Sequence, residues 1–301
     1  MNNELYSYPG FYFQRPKKLS FRQLAVHIGL FVLTAFSTFL VGLGDGITGA
    51  LWYSGGLMAI LLAHELGHFF TARKYGISVT LPYFIPMPIS PFGTLGAVIK
   101  MDRYIPNRKV LFDVGVAGPL AGFFFIIPAL VLGLSWSKVV PVEATREGAI
   151  SLGESILFKL FVRISIGHVP EGQDVLLHPL AFAGWVGLFV TALNLLPVGQ
   201  LDGGHILYAL FHRKSKTISR IFYWILLGIC LFFYLGWFLM IILLALIRSH
   251  PPTLDDTVAL DSKRRALGWI VLFLFLISFT PVPFIMGEKG LLSIFLRAFQ
   301  R

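Results

Sequence analysis

The chain has 301 residues, a formal charge of +10, 56% hydrophobic and only 13% charged residues, and a mean hydropathy of +0.76, which excludes an ordinary soluble domain and points to membrane embedding. Its Lys and Arg are spread between the apolar runs and form no single basic face, so they fit membrane orientation and contact with anionic lipid, and no nucleic-acid partner is expected. The single cysteine, Cys230, excludes an intrachain disulfide and a cysteine zinc cluster, leaving His and carboxylate to hold any metal.

A hydrocarbon core of roughly 30 Å takes about 20 apolar residues per helix. The stretches 23–43, 49–72, 110–135, 176–198, 221–247 and 267–286 are each long enough. The expected fold class is an all-α polytopic membrane protein of about six transmembrane helices, forming a single integral membrane domain over 1–301. The first apolar run lacks a small-residue cleavage pattern and reads as a retained helix. Arg15, Lys17, Lys18 and Arg22 precede it, while the connection near Asp45 carries no Lys or Arg, so the positive-inside rule places the N-terminus in the cytoplasm. Arg73, Lys74, Lys100, Arg103, Arg108 and Lys109 after the second span agree, as do Arg213, Lys214, Lys216 and Arg220 after the fourth. Arg248, Lys263, Arg264 and Arg265 disagree, because strict alternation puts them on the outer side.

Between the second and third spans, residues 78–105 are apolar yet interrupted by Pro82, Pro86, Pro88 and Pro91, which forbid a continuous helix. A re-entrant β-containing loop is expected, since irregular backbone at membrane depth is tolerated where protein or a water-filled cavity covers it. Its segment GTLGAVIKM should form a short strand.

The first chemical signal is HELGH at 64–68, near the predicted inner end of the second span. Residues four apart share a helix face, so His64 and His68 can offer two imidazoles to one ion, with Glu65 beside it to take a proton from an activated water. Ionisable groups within a span are costly and usually functional, so three in five residues call for a compensating partner such as a metal. Catalytic zinc usually takes three protein ligands. NLLPVGQLDGGH at 194–205 meets the same side. Asp202 is the favoured third ligand, because Pro197 and Gly199 should break the helix before it and Gly203 and Gly204 allow close backbone approach. His205 competes for that place. Asn194 can face the same cavity and donate to a carbonyl oxygen as charge develops. GVAGPLAG at 115–122, with Gly118 and Gly122 four apart, reads as helix packing. The remaining histidines, His27, His168, His178, His212 and His250, read as interfacial or structural.

Through HELGH, GTLGA, AGPLAG and NLLPVGQLDGG, residues 50–205 resemble the site-2 protease family of intramembrane zinc metalloproteases. The resemblance implies that His64, His68 and Asp202 ligate one catalytic Zn2+ and that Glu65 is the catalytic acid–base. It also implies that the substrates are single-pass membrane proteins cut in or near their transmembrane segments. A zinc-binding membrane transporter or sensor is the alternative reading of the same ligands. The PDZ and CBS modules of many family members are not visible. A substrate unwound from its helix could pair with a strand containing Gly93, Thr94, Leu95, Gly96 and Ala97. The expected location is a multi-pass integral membrane protein in a prokaryotic plasma membrane, with its site near the cytoplasmic face.

Overall fold

The computed structural model describes residues 20–102, 104–142, 151–247 and 250–285. Arg15, Lys17, Lys18, Arg103 and Arg248 lie outside the described residues, as does the last position of the 267–286 stretch. Of the described residues 66% are helical, and there are a few short strands. Three helical stretches, Phe21–Lys74, Arg108–Ser135 and Asp202–Phe232, are long and apolar enough to cross a membrane, and Pro179–Asn194 and Leu235–Leu246 are shorter apolar helices.

The first stretch is a hairpin of two helices. Helix α1 (Phe21–Gly42) starts at a capping box between Ser20 and Gln23, and the chain turns through Leu43–Asp45 into α2 (Gly46–Lys74). The helices lock together where Ser54 Oγ donates to the Ala35 carbonyl at 2.9 Å and bonds Thr38 Oγ1 at 2.8 Å. These hydroxyls satisfy one another and the backbone, which apolar surroundings otherwise penalise.

Strands β1 (Tyr83–Pro86) and β2 (Thr94–Val98) form an antiparallel hairpin with Tyr83 opposite Val98 and Pro86 opposite Thr94. The strand expected in GTLGAVIKM is therefore present as β2. Its partner β1 escaped the sequence reading because Pro86 discourages a strand assignment, yet a proline at a strand end forfeits little. The hairpin lies along α1. His27 Nδ1 donates to the Pro82 carbonyl at 3.0 Å, and Ser37 Oγ donates to the Gly93 carbonyl at 2.5 Å. At ~1.5 Å per helical residue, those two anchors are ~15 Å apart along α1. At the tip, Phe92 packs on Trp185 and Phe189, and its carbonyl accepts from Tyr53 Oη at 2.9 Å.

Helix α3 (Arg108–Ser135), capped by Asn107, runs between α2 and α5 (Pro179–Asn194). Gly67 of α2 abuts the Ala117 carbonyl, and Gly133 of α3 abuts the Ala181 backbone, contacts that no Cβ would permit. The segment joining α3 to α5 contains β3 (Lys138–Pro141), β4 (Ser151–Leu152), α4 (Ile156–Ser165) and β5 (Gln173–Leu176). β3 pairs with β5, and β4 pairs with β6 (Phe284–Ile285) near the chain's end.

After α5 come α6 (Asp202–Phe211), α7 (Ser215–Phe232), α8 (Phe238–Leu246) and α9 (Ser262–Ser278). The stretch 221–247, expected as one span, is broken between Phe232 and Phe238, and its two halves fold back on each other. At the base of this pair, Ser219 Oγ donates to the Pro197 carbonyl at 2.8 Å, and the Ile247 carbonyl abuts Gly199. At its tip, Trp237 Nε1 donates to the Pro281 carbonyl at 2.7 Å. The chain thus returns to the side it left.

That return also places the charged residues after α8. Residues 250–261 form a strap across the ends of α3 and α6. Leu254 N donates to the Ile105 carbonyl and Asp255 N to the Pro106 carbonyl, while Asp256 accepts from Tyr208 Oη at 2.8 Å. Arg264 then pairs through two nitrogens with Asp113 of α3, at 2.8 and 2.7 Å. Arg264 therefore lies at the same end of the helix bundle as Arg108 and Lys109.

Candidate metal centre

His64 and His68 lie one turn apart on the same face of α2, 4% and 6% exposed. Asp202 is the first residue of α6, where the exposed N–H groups of a helix N-terminus favour a carboxylate. The chain reaches it by ending α5 at Asn194 and turning at Gly199, whose φ is +62°. Gly203 and Gly204 sit against the Leu195 and Gly199 carbonyls, where a Cβ would collide. This tight crossing swings Asp202 towards α2.

The three side chains converge on one point. Asp202 Oδ2 lies 3.1 Å from His64 Nε2 and 3.2 Å from His68 Nε2, and the two Nε2 atoms are 3.2 Å apart. Donors bound to one tetrahedral zinc at ~2.0–2.1 Å would be ~3.3 Å apart. The nearly equilateral triangle therefore fits a zinc ion, and among the described residues it is the group of His, Cys, Asp and Glu side chains so arranged. One orienting bond is present: His68 Nδ1 donates to the Val114 carbonyl of α3 at 2.8 Å. A ring tied at one nitrogen to a carbonyl presents the other as a ligand.

Glu65 is 6% exposed beside the triangle, and its charge interacts with His68 and Asp202. The Asn194 amide nitrogen lies 3.4 Å from His64 Nε2, which brings this residue to the site's edge. His205 stands elsewhere: its Nδ1 faces His250 Nε2 at 2.6 Å. Gly93–Ala97 fall on or beside β2, which among the described residues pairs with β1 alone.

The small residues of α3 do more than pack helices. A Cβ at Gly118 would fall on the His68 imidazole, and one at Gly122 would come within 3.3 Å of His64 Nδ1. Gly118 and Gly122 are the seats on which the His68 and His64 rings rest. Their four-residue spacing matches that of the histidines, the one signal in the sequence that pairs them.

Comparison with known proteins agrees with this geometry. The profile of Peptidase family M50 matches residues 52–237. Among curated proteins, the chain is 31% identical to a "Probable zinc metalloprotease EGY1, chloroplastic" of Arabidopsis thaliana, over 83% of this chain and 46% of that protein. It is 32% identical to "Probable zinc metalloprotease EGY2, chloroplastic" of the same plant, over 84% and 45%. It is 28% identical to "Probable zinc metalloprotease EGY3, chloroplastic" of Oryza sativa subsp. japonica, over 87% and 46%. The chain spans less than half the length of these relatives. Their names place them in the chloroplast, so they lend no support to the expected prokaryotic plasma membrane. No solved structure matches the chain significantly. The profile covers most of the chain, both halves of the metal triangle included, and the chain belongs to Peptidase family M50, the site-2 protease family.

Proposed function

We propose that this protein is a zinc-dependent intramembrane endopeptidase that hydrolyses peptide bonds in or near the transmembrane segments of single-pass membrane proteins. The observation that carries the proposal is the His64–His68–Asp202 triangle, whose edges of 3.1–3.2 Å suit one zinc ion inside a helix bundle. Membership in a peptidase family favours hydrolysis over transport.

Bound zinc supplies Lewis acidity, which acidifies a water molecule and polarises the scissile carbonyl. His64, His68 and Asp202 hold the ion. Glu65 takes the proton of the attacking water on its carboxylate and delivers it to the leaving amine nitrogen. Asn194, whose amide nitrogen lies 3.4 Å from His64 Nε2, donates to the oxygen that gains charge. A carbonyl within a helix is already hydrogen-bonded and shielded, so the substrate must unwind before it is cut. The outer edge of β2 offers backbone groups to such an extended segment, and Leu95 and Val98 on that strand are 61% and 51% exposed.

In this reading the membrane contains α1, α2, α3, α5 with α6, the returning pair α7–α8, and α9, with the metal near the positively charged face. Exposed Phe124, Trp224, Leu239 and Trp269 suit contact with lipid. The deciding experiment measures zinc content and cleavage of a single-span substrate for wild type and Glu65→Gln in detergent. The variant should keep the zinc content of wild type and lose cleavage. Cleavage by the variant, or absence of zinc from the wild type, would overturn the proposal.

A further inference from the structure

His205 and His250 stand outside the metal triangle, 45 positions apart in sequence, yet His205 Nδ1 and His250 Nε2 meet at 2.6 Å. His205 is one turn beyond Asp202 on α6, and His250 opens the strap. His250 Nδ1 faces the Pro251 carbonyl at 2.5 Å, so that nitrogen carries the proton and Nε2 turns its lone pair towards His205. His68 is oriented in the same way, through the Val114 carbonyl, and this is the usual support of a ligating imidazole. Tyr208 stacks on the His250 ring at 4.5 Å and 24°, holding its plane.

In the pair as it stands the His205 Nδ1–H donates to His250 Nε2. An ion bound at ~2.0–2.1 Å to both nitrogens would take the place of that proton, with the nitrogens ~3.3 Å apart. Room and further donors are at hand. Both rings line a cavity of about 700 Å³ whose wall also carries Asp102, Gln200 and Thr253, so water or these oxygens can complete a coordination shell.

We infer that His205 and His250 form a second transition-metal site, separate from the His64–His68–Asp202 triangle, that takes Zn2+ or Cu2+ with water as the remaining ligands. Imidazole pairs favour these ions over Mg2+ or Ca2+. Occupancy ties the strap to α6, the helix that carries Asp202. The inference goes beyond the proteolytic reading and does not require it.

The test is equilibrium dialysis of the purified full chain in detergent against Zn2+, with metal counted by mass spectrometry. Wild type should bind two zinc ions per chain, and His250→Ala and His205→Ala should bind one each while keeping cleavage activity. The retained ion and activity show that the variants fold. With Cu2+ added after the triangle is filled by zinc, the electron paramagnetic resonance spectrum should show coupling to two nitrogens in wild type and lose it in His250→Ala. A single zinc in wild type would overturn the inference while leaving the proposed protease intact. A second zinc that survives both substitutions would also overturn it.

Discussion

Gly118→Ala asks whether α3 seats a metal ligand or merely packs against α2. The three atoms nearest to a Cβ at this position are Nε2, Cδ2 and Cε1 of the His68 ring. The ring cannot step aside in place, because its Nδ1 is bound at 2.8 Å to the Val114 carbonyl, one turn earlier on the same helix. The helices cannot easily part either, since Gly67 of α2 already abuts the Ala117 carbonyl. Overpacking of this kind costs about 1–3 kcal/mol. Disturbing even a supporting partner of a ligand lowers metal affinity by about 10–100-fold. Here the methyl displaces the ligand itself, so the expected loss is about 100-fold, or ~2.8 kcal/mol at ~1.4 kcal/mol per decade. Competition for zinc with a chromophoric chelator measures it. Gly122→Ala, 3.3 Å from His64 Nδ1, should lose less, and Gly55→Ala, with nothing within 4 Å, should match wild type. Wild-type zinc affinity in Gly118→Ala would refute the assignment of a seat.

Asp113 accepts from Tyr75 and, through two nitrogens, from Arg264, so Asp113→Asn should loosen α9 from α3. The pair is partly exposed, at 32% and 19% of side-chain area, which limits the cost to about 1 kcal/mol, read as a lower melting temperature with zinc retained. The Arg264 backbone N–H and guanidinium hold the Asp261 carboxyl down at about 2. A depressed carboxylate contributes its stability above the unfolded value of about 3.9 and loses it as pH falls through the folded one. Hydrogen exchange in 250–261 should therefore accelerate between about pH 4 and 2, and Asp261→Asn should shrink that step, to which Asp255 and Asp256, also held low, contribute the rest. Leu95→Pro on exposed β2 should cut cleavage at least about tenfold while leaving zinc bound, if substrate pairs with that edge; unchanged cleavage would dismiss edge pairing.

Apolar length and charge were enough to expose a helical membrane protein, because they report directly on the solvent that each segment prefers. They could not expose the reversal between α7 and α8. Apolarity is the same on both sides of Tyr234–Gly236, and membrane length alone cannot separate one long helix from two short antiparallel ones. The only trace was the misplaced charge of Lys263, Arg264 and Arg265, which the strap and the Arg264–Asp113 pair account for. Within the site, the His64–His68 spacing was legible because both residues share one helix face. The meeting of His205 with His250 was not, because it depends on the same reversal that brings the strap back to α6.

Gly118 and Gly122 were legible as small residues but not as seats, for a physical reason that extends to the whole centre. A glycine records what it allows to approach only through the identity of its neighbour, and here that neighbour lies on another helix. Gly118 and Gly122 admit the rings of His68 and His64, while Gly203 and Gly204 admit the backbone of the α5–α6 turn and so bring Asp202 across. All three candidate ligands are thus placed by close approach of backbone rather than by long flexible side chains. Backbone contacts between packed helices yield far less than rotamers do, which is what holds two nitrogens and a carboxylate oxygen within 3.2 Å of one another.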